Sequence, residues 1–208
     1  MKLVYGTSNQ SKIQTMKEHV SALGLEIFSL NDVSAPELDI DESGTHPLEN
    51  ARIKALAYYK ALKIPVFSCD SGLYIDGLDT SRQPGVHVRR INGRRLNDDE
   101  MIAHYSALAK EFGGSITARY RNAICLVLAE DKIHEHDGDD IASERFMIVD
   151  TPHPGRKHSP GFPIDSLSVH IGSGMYYYDI ADYKTKYFGI ADGFSAFFGR
   201  ALRPRANA

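Results

Sequence analysis

Six residues near the start of the chain, Thr7-Ser8-Asn9-Gln10-Ser11-Lys12, set small hydroxyls, two amides and a cation between an apolar run and a helical pattern. A loop of this kind turns free backbone N–H groups toward a ligand, and the helix dipole favours an anion there. Lys12 falls in the first turn, where a cation is unfavourable unless an anion meets it. A phosphate would meet it; an ordinary N-capped amphipathic helix is the alternative. The segment is not a P-loop, because Ser11 stands where Gly is needed and Ile13 where Ser or Thr is needed. A second group is Asp70-Ser71-Gly72, at the end of the apolar run PVFSC. A carboxylate closing a buried strand is where α/β proteins put their sites, and an Asx-turn is the competing reading. A third is Asp39, Asp41 and Glu42 in a polar loop, where hard oxygen ligands suit Mg2+ or simply face water.

Other candidates carry less chemistry. His134-Glu135-His136 beside Asp137, Asp139 and Asp140 has metal-binding residue types but falls at an expected turn. His153 and His158 lie in the loop TPHPGRKHSPGFP, where they can reach a substrate. Cys69 and Cys125 both sit in apolar runs, which raise a thiol pKa and make it inert. No G-x-S-x-G elbow is present.

These residues need elements to hold them. Residues 2–7 read as a strand, and Ile13, Met16, Val20 and Leu23 recur at helical spacing before Gly24. Residues 25–30 form the second strand, so the chain opens as an α/β protein. A helix from about His46 or Pro47 to Lys63 carries Leu48, Ala51, Ala55, Tyr59 and Leu62 on one stripe, and residues 65–70 return as a short strand. Gly72 and Gly77 mark turns. Asn97 and Glu100 form a capping box for a helix that stops at Gly113-Gly114. Residues 116–128 alternate as the longest strand, 130–140 make a turn, and 144–150 pair back. A sheet segment near 164–171 and a helix after Tyr187 complete the fold.

Composition narrows the function classes. Of the 208 residues 42% are hydrophobic, enough for a core without metal or disulfide staples. Twenty-four Lys and Arg against 27 Asp and Glu leave a charge of −3, which gives no footprint for nucleic acid. No run is long and apolar enough for a membrane span, and the N-terminus does not read as a targeting segment. Two cysteines in apolar runs fit reduced thiols and a cytoplasmic protein.

Taken together, these segments resemble the inosine triphosphate pyrophosphatase family, house-cleaning hydrolases of non-standard purine nucleoside triphosphates. The resemblance rests on Thr7-Ser8-Asn9-Gln10-Ser11-Lys12, on Glu42-Ser43-Gly44 ahead of Glu49-Asn50-Ala51-Arg52-Ile53-Lys54-Ala55, on Asp70-Ser71-Gly72-Leu73, and on Pro84-Gly85 with Arg90. These cover the first half of the chain. In the second half Gly161-Phe162-Pro163-Ile164-Asp165-Ser166 and Lys186 are similar to later family segments. The family's His-Arg pair aligns with Ala191-Asp192, so hydrogen-bond polarity at the base is reversed.

The resemblance implies an α/β fold with a long curved mixed sheet and flanking helices, as two lobes around a central cleft, in one domain of residues 1–208. It implies Mg2+-dependent conversion of a nucleoside triphosphate to the monophosphate and pyrophosphate, in a homodimer. Asp70 and Lys12 would be catalytic, with Asp70 as proton acceptor. Glu42 and Asp70 would hold Mg2+. Thr7, Ser8, Asn9, Lys12, Ser71 and Lys186 would bind substrate, with Phe162 stacking on the base and Asp165 accepting from its N–H groups. His153, Arg156, Lys157 and His158 would replace the donors missing at Ala191-Asp192; otherwise the enzyme prefers a base with a donor at that edge. A pyrophosphatase for another modified or pyrimidine nucleotide, a catalytically silent nucleotide-binding module and a plain interaction protein are the alternatives. The run Met175-Tyr176-Tyr177-Tyr178 and the Arg89-Arg90 segment have interface composition, or belong to a core strand and a solvated loop.

Overall fold

The computed structural model describes residues 1–91, 93–156, 158, 161–181 and 188–203. Among these residues strands and helices follow in the order β1 (Lys2–Tyr5), α1 (Gln10–His19), β2 (Glu26–Phe28), α2 (Pro47–Leu62), β3 (Val66–Ile75), β4 (Arg90–Ile91), β5 (Arg94–Arg95), α3 (Asp98–Glu111), β6 (Ser115–Ala129), β7 (Lys132–His136), β8 (Phe146–Val149), β9 (Ser168–His170) and α4 (Phe188–Ala201). Seven strands form a mixed sheet in the order β2-β1-β3-β6-β8-β9, with β7 also paired to β6. The parallel pairs are β1 with β2 and with β3; β6 runs antiparallel to β7 and β8, and β8 to β9. The fold is α/β, as the sequence implies. No described helix is long and apolar enough to cross a membrane.

The chain divides into two compact units. The first contains the described residues of Met1–Ser71, Arg121–Ala142 and Phe188–Ala208. Its strands are covered on both faces, which is why they read as apolar runs. Val66 clusters with Tyr58 of α2, while its neighbour Phe67 meets the Phe198 ring of α4 edge-on at 5.2 Å between centroids. Alternate residues of β3 therefore face α2 and α4 in turn. Tyr5 stacks on Phe67 at 4.5 Å on the α4 side. Ser195 Oγ donates to the His19 carbonyl at 2.8 Å and ties α4 to the end of α1.

The second unit contains the described residues of Gly72–Tyr120 and Ser143–Tyr187. Leu73, Tyr105, Phe146 and Leu167, all fully buried, join β3, α3, β8 and the 3-10 turn Pro163–Leu167 in one core.

Two expectations fail for identifiable reasons. The strand at 65–70 does not stop at the carboxylate but runs on to Ile75, and Gly72 is no turn. Leu73 and Gly85 exchange backbone hydrogen bonds at 2.9 and 3.0 Å, which draws a second backbone against the strand. A Cβ on Gly72 would stand 3.0 Å from the Gly85 carbonyl carbon, so the glycine serves a close approach. Residues 130–140 are not only a turn: β7 returns along the second half of β6, and a short 3-10 turn follows at Asp139–Ile141. Its sequence KIHEH is polar on both faces, so alternation gives little signal.

Candidate active site

The helix α2 begins with a reciprocal cap. His46 Nδ1 accepts the Leu48 amide at 3.3 Å, and Glu49 Oε2 accepts the Thr45 and His46 amides at 2.8 and 3.2 Å. Those amides hold the Glu49 carboxyl below its ordinary pKa. Glu49 is thereby occupied in fixing the helix start.

Asn50, buried, and Lys54 lie one turn apart on the same face of α2. Asn50 Oδ1 accepts the Gly44 amide at 2.9 Å, so its Nδ2 is the atom that donates to Asp70 Oδ2, at 3.1 Å. A Cβ on Gly44 would fall 2.6 Å from Asn50 Oδ1, so only glycine lets the acidic loop come this close. That contact delivers Glu42, two residues earlier, to Lys54. Lys54 Nζ lies 2.6 Å from Glu42 Oε2 and 3.7 Å from Asp70 Oδ1. The Lys54 and Asp70 side chains are only 14% and 15% exposed, so this ion pair is far less screened than a surface one. Both oxygens of Asp70 are thus oriented by α2.

The first loop opens beside the same helix. A Cβ on Gly6 would stand 3.2 Å from the ring of Tyr58, one turn beyond Lys54. Thr7 Oγ1 accepts the Asn9 amide at 3.2 Å, and Asn9 Oδ1 accepts the Lys12 amide at 3.1 Å, so Asn9 is the N-cap of α1. Ser8 and Gln10 are exposed in this loop, and α1 has no acidic residue in its first turn to meet Lys12. Burial pushes the Cys69 thiol up to about 12, while the ammonium groups of Lys12 and Lys54 oppose that rise and the Asp70 carboxylate adds to it. Cys125 is also pushed up to about 12 by burial, and both cysteines are free, as expected of inert thiols.

The remaining sequence candidates are placed differently. Ser71 follows Asp70 on an extended strand and so faces the α4 side. Its Oγ donates to Asn122 Oδ1 at 2.7 Å, and Asn122 Nδ2 donates to the Ile141 carbonyl at 2.6 Å. The Ser71 proton is thus committed within the protein. Asp39 and Asp41 are exposed and only Glu42 of that loop joins Lys54. Phe162 and Asp165 belong to the second unit, where Phe162 is half-buried and the Asp165 amide donates to the Phe162 carbonyl at 3.2 Å. Lys186 lies outside the described residues. Asp192 is exposed on α4, next to Gly193, whose Cα is packed on the Asp140 backbone.

His153 Nδ1 accepts the amides of Gly155 and Arg156 at 3.0 Å each, so its proton is on Nε2, which donates to Asp179 at 3.0 Å. His158 lies 3.5 Å from Asp98. Two of the four donors expected of this loop are therefore engaged, and Lys157 lies outside the described residues. The His134–Asp140 segment makes no metal centre: Glu135 is bound to Arg52, and His136 to Asp140 at 2.6 Å. Tyr177 is buried with its hydroxyl donating to Glu144 at 2.6 Å, and Tyr176 donates to the Thr151 carbonyl at 2.7 Å. Those two tyrosines serve the second unit's own packing, while Met175 of the same run is exposed.

Asn50 and Lys54 are not among the site residues that the sequence points to. Their spacing of four in a helix that starts after an acidic loop was the available signal.

A cation suits this group. Two carboxylates already converge on one positive charge, the Lys54 ammonium, and every donor is a hard oxygen. Among the described residues no three His, Cys, Asp or Glu side chains come together. Mg2+ commonly binds through one or two carboxylates and completes its shell with water and phosphate oxygens. Glu42 and Asp70 fit that pattern.

The Ham1 family profile matches residues 3–140, the stretch that contains every element of this group. The chain belongs to the Ham1 family. It is 34% identical over 138 residues to a dITP/XTP pyrophosphatase of Rhodopseudomonas palustris, a match covering 64% of each chain. It is 34% identical over 180 residues to the dITP/XTP pyrophosphatase of Methylococcus capsulatus, covering 84% of this chain and 82% of that one. Other relatives of the same description are matched over about half to two thirds of their length. Among solved structures, a HAM1 protein from Coxiella burnetii superposes with a TM-score of 0.74 at 21% identity, covering 96% of this chain and 99% of that chain. A nucleoside-triphosphatase / dITP/XTP pyrophosphatase from Mycobacterium abscessus gives 0.64 at 23% identity, covering 98% of this chain and all of the other. The Ham1 fold thus extends past the matched segment into the divergent second half.

Proposed function

We propose that residues 1–208 work as one enzyme domain that hydrolyses a nucleoside triphosphate to the monophosphate and pyrophosphate. The observation that carries this is the charge group on α2 and β3: Lys54 between Glu42 and Asp70, with Asn50 fixing the other oxygen of Asp70. The relatives described as dITP/XTP pyrophosphatases support a non-standard purine triphosphate as substrate.

The residues divide the work. Lys12 and the first-turn amides of α1 neutralise and align the phosphate chain, a requirement for in-line displacement. Lys54 adds a second cation next to Asp70. Glu42 and Asp70 would hold Mg2+, which would supply further charge neutralisation and a lowered pKa for water. Asp70, its carboxylate oriented by Asn50, takes a proton from the attacking water as the α–β phosphoanhydride bond breaks and pyrophosphate leaves. By the family resemblance Thr7, Ser8 and Asn9 contribute to the phosphate loop, Lys186 contacts substrate, Phe162 stacks on the base and Asp165 accepts from it. A homodimer rests on the resemblance alone, and light scattering at twice 23.1 kDa would support it.

The direct test is product analysis with a panel of nucleoside triphosphates, with Mg2+ and with chelator. Pyrophosphate released only with the metal supports the reading, and orthophosphate as first product overturns it.

One observation favours a second reading of the base. By the family resemblance Asp192 stands where the family has Arg, and His153 and His158 are engaged elsewhere. A pyrophosphatase for another modified or pyrimidine nucleotide, bearing a donor at that edge, is then the second reading. An acceptor facing an acceptor costs roughly 1–3 kcal/mol, about tenfold to a hundredfold in kcat/KM. Asp192→Arg should raise the ratio of kcat/KM for inosine over adenosine triphosphate by about tenfold. An unchanged ratio removes residue 192 from base recognition.

A further inference from the structure

Within the second unit, Arg89, Asp98 and Gly161 close a ring of charge-assisted contacts between the Arg89–Asp98 stretch and a loop more than sixty residues further on. Arg89 Nη1 lies 2.6 Å from Asp98 Oδ1, and Arg89 Nη2 donates to the Gly161 carbonyl at 2.9 Å. The Gly161 amide donates to Asp98 Oδ2 at 2.9 Å, and His158 Nδ1 approaches the same oxygen at 3.5 Å. Donor and acceptor of one residue are thus both held, which fixes its backbone in two directions. Gly161 has φ +86°, a conformation other residues resist, so the held geometry is also a demanding one.

Phe162 is the next residue. On its other side the 3-10 turn Pro163–Leu167 starts, anchored by Ile164 and Leu167 in the unit's core and by Ser168 Oγ on the Ile164 carbonyl at 2.9 Å. The backbone of the half-buried Phe162 is therefore flanked by a polar clasp on one side and an apolar anchor on the other. Arg89 and Asp98 are about a quarter exposed. A partly exposed ion pair adds little stability, whereas a guanidinium whose two nitrogens are fixed on different partners adds geometric definition. Asp98 opens α3 after the Asn97 cap, where the helix dipole favours its charge, so the clasp is referred to a rigid element.

We propose that Arg89 and Asp98 are positioning residues that set the Gly161–Phe162 corner for the nucleobase, and so control base affinity without touching the phosphates. This rests on the reading that Phe162 stacks on the base. Sites held within a fraction of an ångström by supporting contacts bind better than loose ones, because less ordering remains to be done on binding.

The test uses Arg89→Ala, Asp98→Asn and the conservative Arg89→Lys, with three readouts on the full chain. Amide exchange at Gly161 should speed up by about tenfold in Arg89→Ala and Asp98→Asn. KM for inosine triphosphate should rise by about fivefold or more with kcat within about twofold, and Arg89→Lys should recover part of the loss. Inhibition by inorganic tripolyphosphate, which has no base, should not change. Faster exchange with an unchanged KM, or a KM shift matched by weaker tripolyphosphate inhibition, overturns the positioning role. Wild-type protein that turns over no nucleoside triphosphate sinks the functional reading as well, while the exchange arm still reports whether the clasp holds the corner.

Discussion

Replacing Asn50 tests whether α2 orients Asp70. The buried amide holds the Gly44 amide at 2.9 Å and an Asp70 oxygen at 3.1 Å; its contact to the Gly44 carbonyl, at 3.4 Å, is too long to count for much. Asn50→Ala loses one hydrogen bond to a charged acceptor, about 1.5–3 kcal/mol, and one neutral bond, about 0.5–1.5 kcal/mol. Water reaching the half-buried Gly44 offsets part of this, so the expected loss is about 2–4 kcal/mol in urea unfolding without nucleotide. Asp70 then swings toward Lys54, and kcat for pyrophosphate release falls by about tenfold to a hundredfold. Asn50→Asp separates the two effects. It keeps an acceptor for Gly44 and turns the donor facing Asp70 into a carboxylate. Like charges at that distance raise one of the two pKa values and misplace the proton acceptor. Activity should stay low even where stability is partly recovered. Pyrophosphate release within about twofold of wild type in either variant would refute the orienting role.

Two other perturbations read different parts of the molecule. Lys12→Ala should weaken kcat/KM by a similar factor for every nucleoside triphosphate if Lys12 meets phosphate and no base, as proposed; a loss confined to one base would contradict that placement. The Gly161 amide, Arg89 and His158 hold the Asp98 carboxyl below its ordinary pKa. Its contribution to stability is therefore complete above the unfolded value of about 3.9 and is lost as pH falls through the lower folded value. Denaturation between about pH 2 and 6 should show a shallower acid limb for Asp98→Asn than for wild type, and identical limbs would disprove the contribution.

The legible parts of the fold were those set by local chemistry. Pro47 and the His46–Glu49 cap mark the start of α2, Asn97 and Glu100 that of α3, and Gly113-Gly114 its end. Asp70 stood out because a carboxylate in an apolar run is rare. Gly72 misled because a glycine for backbone approach looks like one for a turn until Gly85, thirteen residues on, is placed beside it. β7 was hidden by its polar alternation. Asn50 and Lys54 were present in the quoted motif, but their convergence on Asp70 depends on which face of β3 meets α2. The Arg89–Asp98–Gly161 ring joins positions as far as 72 residues apart, and no spacing rule points to it.

The most direct measurement is pyrophosphate release from inosine triphosphate with Mg2+ by Asp70→Asn beside wild type, at matched thermal stability. Asn keeps the shape and removes the anion that Lys54 and Asn50 hold. Loss of the proton acceptor and of a metal-holding oxygen predicts a rate lower by about a hundredfold or more. Turnover of Asp70→Asn near that of wild type would contradict the placement of the active site on α2 and β3.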